Sequence, residues 1–144
     1  MVAYADTSFL FSLYGHDANS ARAQTMGNAL KVPLAFTQLQ RHELRNAFRL
    51  AVFRRVMTSD RCAAVLAAIE VDTKTGVLVE TPVSWAEVYV GAEALSAAHS
   101  KTLGTRGFDV LHVAAAIALE TKSFLTFDAR QKFLAAKAGL KVKP

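Results

Sequence analysis

Short apolar runs alternate along this chain with longer stretches whose apolar residues recur at helical spacing. The runs VAYA, PLAFTQL, VLVET and SFLTF read as four buried strands, and LKVK near the end as a marginal fifth. The intervening periodicity predicts helices over 8–14, 20–30, 41–57, 59–71, 84–100, 109–121 and 128–138. Ser59 or Asp60 caps the fourth, and Gly139 closes the last. Strands separated by helices, with no hairpin signal, predict a parallel sheet covered on both faces. With right-handed crossovers the expected fold class is α/β, a doubly wound, Rossmann-like α/β/α sandwich around four to five parallel strands. No repeat, low-complexity tract or linker interrupts the pattern, so residues 1–144 are read as a single domain.

Helix 41–57 departs from simple amphipathicity. Leu44, Ala47, Phe48, Ala51 and Val52 form one apolar face, while Leu50 and Phe53 sit well round from it. A helix apolar on two sides is buried on two sides, which here predicts a homodimer contact. Arg41, Arg45 and Arg49 recur at i, i+4, i+8 on the same helix as a basic stripe.

Composition sets the class. At 52% apolar and 20% charged residues, the chain is that of a folded soluble protein. No apolar stretch reaches the ~20 residues of a membrane span, and the N-terminus lacks the basic start of a signal peptide. With Cys62 alone, no internal disulfide forms, and the expected location is cytoplasmic, with no membrane partner. The net charge of +5 is unevenly spread. Residues 31–61 carry seven Lys/Arg against Glu43 and Asp60, and 70–93 carry five acids against Lys74. Such polarity suits a polyanion such as nucleic acid, although solubility charge explains it as well.

Carboxylates supply the chemistry. Asp6 ends the first strand, Glu43 opens the helix after the second, Asp109 opens the helix before the fourth, and Asp128 ends the fourth strand. If strands one and four are neighbours, Asp6 and Asp128 meet at the crevice where the winding reverses, and Glu43 enters from the same edge. Topology alone does not place Asp109 there. Clustered carboxylates raise one another's pKa unless a cation neutralises them, and hard oxygen donors without thiolates select Mg²⁺ or Mn²⁺. Each acid taken singly is also a plausible helix cap or first-turn residue. Four acids at four junctions of one fold are harder to ascribe to capping. His112, one turn after Asp109, reads as a half-buried structural histidine rather than a ligand.

ADTSFLFSLY, LQRHELRNAFRLAVFRR, FDVLHVAAAIAL and FLTFDARQ, in this order, resemble the signature regions of PIN-domain nucleases, most of all VapC-type toxins of toxin–antitoxin pairs. The resemblance implies a Mg²⁺- or Mn²⁺-dependent endoribonuclease whose metal-site and catalytic acids are Asp6, Glu43, Asp109 and Asp128. It further implies supporting roles for Thr7, Ser8, Asn46 and Thr126, a homodimer, an RNA substrate and a VapB-like antitoxin as partner. Arg41, Arg45, Arg49 and Arg106 are the expected RNA contacts. An RNA-maturation nuclease of the same family is the alternative, and a phospho-accepting receiver domain is a lower-ranked one from another class. Receivers need an acidic pair after strand one, where this chain has Asp6-Thr7.

Overall fold

Side chains that alternate across very short strands divide the core into two. The computed structural model describes all residues, Met1–Pro144. Its elements run β1 (Tyr4–Ala5), α1 (Thr7–Tyr14), α2 (Ser20–Ala29), β2 (Leu34–Phe36), α3 (Gln38–Phe53), α4 (Ser59–Thr75), β3 (Leu78–Glu80), α5 (Trp85–Leu103), α6 (Gly107–Ala118), β4 (Ser123–Leu125), α7 (Ala129–Lys137) and β5 (Lys141–Lys143). Successive strand residues point to opposite faces. Ala3, Ala5, Leu34, Phe36 and Leu125 therefore join one core with Phe9, Leu44, Phe48 and Ile69. Tyr4, Ala35 and Phe124 join the other with Val88, Val113 and Leu134. Helices α1 to α4 cover the first face, and α5 to α7 the second.

All strand pairs are parallel: β1 with β4, β4 with β5, and β2 with β3. A single bridge between Ala3 and Leu34 joins the two halves, giving the order β3-β2-β1-β4-β5. This is the doubly wound order with its winding reversal between β1 and β4, as expected. A receiver domain has the order 2-1-3-4-5 instead, so the lower-ranked alternative does not fit.

The start of α3 differs from expectation in a way that matters. Thr37 and Gln40 form a capping box, each side chain bonding the other's backbone N–H at 3.3 and 2.7 Å. The helix therefore begins at Gln38, and Glu43 lies in its second turn rather than opening it. Its C-terminus also comes early, at Phe53, followed by Arg55 in the left-handed region at φ 59°. Along α3, Leu44, Phe48 and Ala51 are buried at i, i+4, i+7, whereas Phe53 is 83% exposed. Helix α4 buries Cys62, Val65 and Ile69 and ends at Gly76, whose φ of 83° suits glycine.

Candidate active site

The acids reach the carboxyl edge of the sheet through their positions at helix starts, except Glu43, which stands in the second turn of α3. Asp6 follows β1 and caps α1, with Oδ1 accepting the Phe9 N–H at 3.1 Å and the Ser8 hydroxyl at 2.6 Å. Its Oδ2 accepts the Thr126 hydroxyl at 2.6 Å, so β4 orients it from the neighbouring strand. Asp128 caps α7, with Oδ1 accepting the Arg130 and Gln131 N–H groups at 2.9 and 3.1 Å. Asp109 is the third residue of α6, and its carboxylate accepts the Arg106 backbone N–H at 3.2 Å. The capping readings thus hold for Asp6, Asp109 and Asp128 but not for Glu43, which lies beyond the first turn of α3, and they coexist with a common location. All four acids line one cavity of about 290 Å³, together with Thr7, Ser8, Arg106, His112 and Gln131. Asp109, which topology had left unplaced, belongs to it.

Electrostatics distinguish the four. Asp6 is 2% exposed, and burial holds its carboxyl above the ordinary range despite hydrogen bonds from Ser8, Thr126 and Phe9. For Glu43, burial pushes upward, but the hydrogen bond and charge of His112 and the Thr7 hydroxyl outweigh it, and its carboxyl is lowered. Arg106 donates to Asp109 from Nε at 3.1 Å and lies 3.6 Å from Asp128 Oδ2. The hydrogen bond and charge of Asp109 raise the guanidinium's pKa.

His112 does more than the sequence indicated. Nε2 lies 2.9 Å from Glu43 Oε1, and Nδ1 lies 2.8 Å from the buried Tyr4 hydroxyl. Burial lifts the Tyr4 phenol well above its usual range, so it keeps its O–H beside Nδ1. Glu43, with its lowered pKa, only accepts, so the hydrogen bond between them is donated from Nε2. The only signal in the sequence was a lone histidine in an apolar helix, one turn after Asp109.

The donor set has the chemistry for a hard divalent cation: four carboxylates, no thiolate, and a buried, unpartnered Oε1 on Gln131. Their spacing is that of groups committed to Arg106, His112, Ser8 and Thr126, and no three Asp, Glu, His or Cys side chains converge on one point. Asp6, Glu43, Asp109 and Asp128 are the acids that would have to close in to hold such an ion. Among the other expected residues, Thr7, Ser8 and Thr126 bond directly to the acids, but exposed Asn46 does not line the cavity. Arg41 and Arg45 both engage Glu70 of α4, at 2.5 and 3.0 Å, and Arg49 is exposed. Of the four arginines, Arg106 alone lines the cavity.

The same architecture occurs in solved structures over almost the full chain. VapC20 of Mycobacterium tuberculosis, a sarcin-ricin loop cleaving toxin, superposes with a TM-score of 0.70 at 20% identity, covering 99% of each chain. VapBC2 of Rickettsia felis, bound to a DNA fragment from their promoter, gives 0.66 at 14% identity over 99% of this chain and 98% of that one. VapBC-1 of nontypeable Haemophilus influenzae gives 0.64 at 15% identity, over 99% and 97%. The chain has the PIN-domain fold. No family model matches its sequence, and no curated protein does either. In this PIN fold, the winding reversal between β1 and β4 lies beneath the acidic cavity, and no helix is long and apolar enough to cross a membrane.

Proposed function

We propose that this chain is a metal-dependent endoribonuclease of the VapC type, acting as the toxin of a toxin–antitoxin pair. The observation that carries the reading is the meeting of Asp6, Glu43, Asp109 and Asp128, from four separate elements, in one cavity at the winding reversal. Asp6, Glu43, Asp109 and Asp128 would hold Mg²⁺ or Mn²⁺, which supplies an activated water and neutralises charge on the phosphoryl group. Around that centre the chain's own groups do the positioning. Ser8 and Thr126 fix the two oxygens of Asp6, Thr7 and His112 fix Glu43, and Arg106 turns from Asp109 and Asp128 to meet a phosphate of the strand. The antitoxin role draws support from the fold shared with the VapBC pairs, and a homodimer from the exposed apolar end of α3. RNA incubated with purified protein should be cut internally in Mg²⁺ or Mn²⁺ and left intact with EDTA or with Asp128→Asn. Undiminished cleavage in EDTA would refute the reading.

A further inference from the structure

A second, larger depression adjoins the acidic cavity. It lies between α5 and the start of α6, has a volume of about 650 Å³, and shares Arg106 and Phe108 with the acidic cavity. Its floor is apolar, from Ala92 and Val110. Its α5 wall is a stripe, Tyr89, Glu93, Ser96 and Ser100, spaced 4, 3 and 4 residues apart. That stripe runs beside the core-facing residues Val88 and Ala92. Tyr89 and Phe108, at 61% and 59% exposed, are large aromatics that no other element covers.

These features do not resemble an ordinary solvated face. Two exposed aromatic rings provide flat, sequence-tolerant surfaces for a base, and Ser96, Ser100, Thr105 and Glu93 provide hydrogen-bonding atoms for its edge. Ser100 and Thr105 hydroxyls lie 2.8 Å apart, so one of them remains free to re-aim toward a ligand. Arg106 supplies the positive charge where the two depressions join, which suits the phosphate between a base in one and the scissile link in the other. A Cβ built on Gly107 meets nothing within 4 Å, so the rim beside Phe108 is open.

We propose that this groove is a subsite for one unpaired nucleobase of the RNA strand, stacked on Phe108 or Tyr89, with its backbone led into the acidic cavity past Arg106. This rests on the ribonuclease reading of the cavity. Acceptor-only Glu93 favours guanine, whose N1–H and N2–H are adjacent donors that a carboxylate can accept together, over uracil, whose single N3–H is flanked by two carbonyl oxygens.

The test uses the full-length protein in EDTA with ten-nucleotide single-stranded RNAs carrying 2-aminopurine at successive positions. One position should change emission on binding, and Phe108→Leu or Tyr89→Leu should remove that change and weaken binding about five-fold or more. Gly107→Leu adds a side chain where the protein has open space, and should also weaken binding while leaving the melting temperature unchanged. Oligouridine should bind less tightly than a guanosine-containing strand, and Glu93→Gln should narrow the difference. Variants that bind within two-fold of the parent, while the parent cleaves RNA in Mg²⁺, overturn the subsite alone. A parent that neither binds nor cleaves RNA overturns the ribonuclease reading and the subsite together. If Phe108→Leu instead changes the sedimentation coefficient, the rings face a second copy of the chain and the subsite is rejected.

Discussion

His112 on α6 and Glu43 on α3 meet 2.9 Å apart across the carboxyl edge of the sheet, one from each helical layer. Tyr4, stacked on Phe124 beneath them, holds the imidazole from the other side. Tyr4→Phe leaves a buried ring nitrogen without its partner and should cost about 1–3 kcal/mol of stability by chemical denaturation. His112→Ala releases Glu43 and should lower cleavage roughly 10- to 100-fold, the usual effect of losing a partner that orients a ligand. His112→Ala with unchanged cleavage and unchanged Mn²⁺ affinity would reduce the histidine to core packing.

Asp6 carries a charge that the fold alone does not favour. Because burial raises its pKa when folded, the unfolded chain gives up this proton first as pH rises from about 3.8. The folded protein then loses stability until Asp6 itself ionises. Asp6→Asn keeps a competent cap and removes this charge. In EDTA its melting temperature should exceed the parent's, by roughly 2–4 °C for each kcal/mol relieved, with the gap widening from about pH 4 upward. Glu43 acts in the opposite sense, since its lowered pKa gives stability that is lost as pH falls through the folded value. A gap that shrinks with rising pH would mean that Asp6 is not a strained group, whatever the activity of the variant.

Salt dependence separates the arginines. Arg41 and Arg45 already share Glu70, whereas Arg106 stands at the cavity. Arg106→Gln should reduce the log–log salt slope of single-stranded RNA binding by about 0.7 for one lost phosphate contact, while Arg45→Gln should leave it alone. The reverse result would move the RNA path onto α3.

Assembly can be tested on Phe53, 83% exposed beside exposed Val56 and Leu50. A twofold contact there would bury the patch against itself. Phe53→Glu should convert a sedimenting dimer into a monomer with little change in unfolding free energy. A dimer that persists at micromolar concentration places the interface elsewhere.

Sequence periodicity located the strands and the helical layers, because these depend on local patterns, whereas the place of Asp109 at the cavity depends on how α6 packs. Periodicity starts α3 too late, since its apolar stripe begins only at Leu44 and a buried polar pair, Thr37 and Gln40, starts the helix before that stripe. Arg41 and Arg45 looked like a free basic face because their acid, Glu70, is 29 and 25 residues away, and such a pairing requires the packing of α4. The part played by His112 depends on Tyr4, 108 residues distant, for the same reason.

The sheet's central seam sets a dimension of the cavity. Only the Ala3–Leu34 bridge joins the β2-β3 half to the rest, yet Glu43 comes from the first half and Asp6 and Asp128 from the second. Gln40 spans the gap: its Oε1 accepts the Thr37 N–H, and its Nε2 donates to the Ala5 carbonyl at 2.7 Å. The amide that starts α3 therefore also gauges how far Glu43 stands from Asp6, using a main-chain oxygen next door to the carboxylate as its reference mark. That ruler lies outside the cavity, so losing one acid need not alter the reach of the others. Shortening the ruler itself, as in Gln40→Asn, would detune the aperture while every acid remained in place.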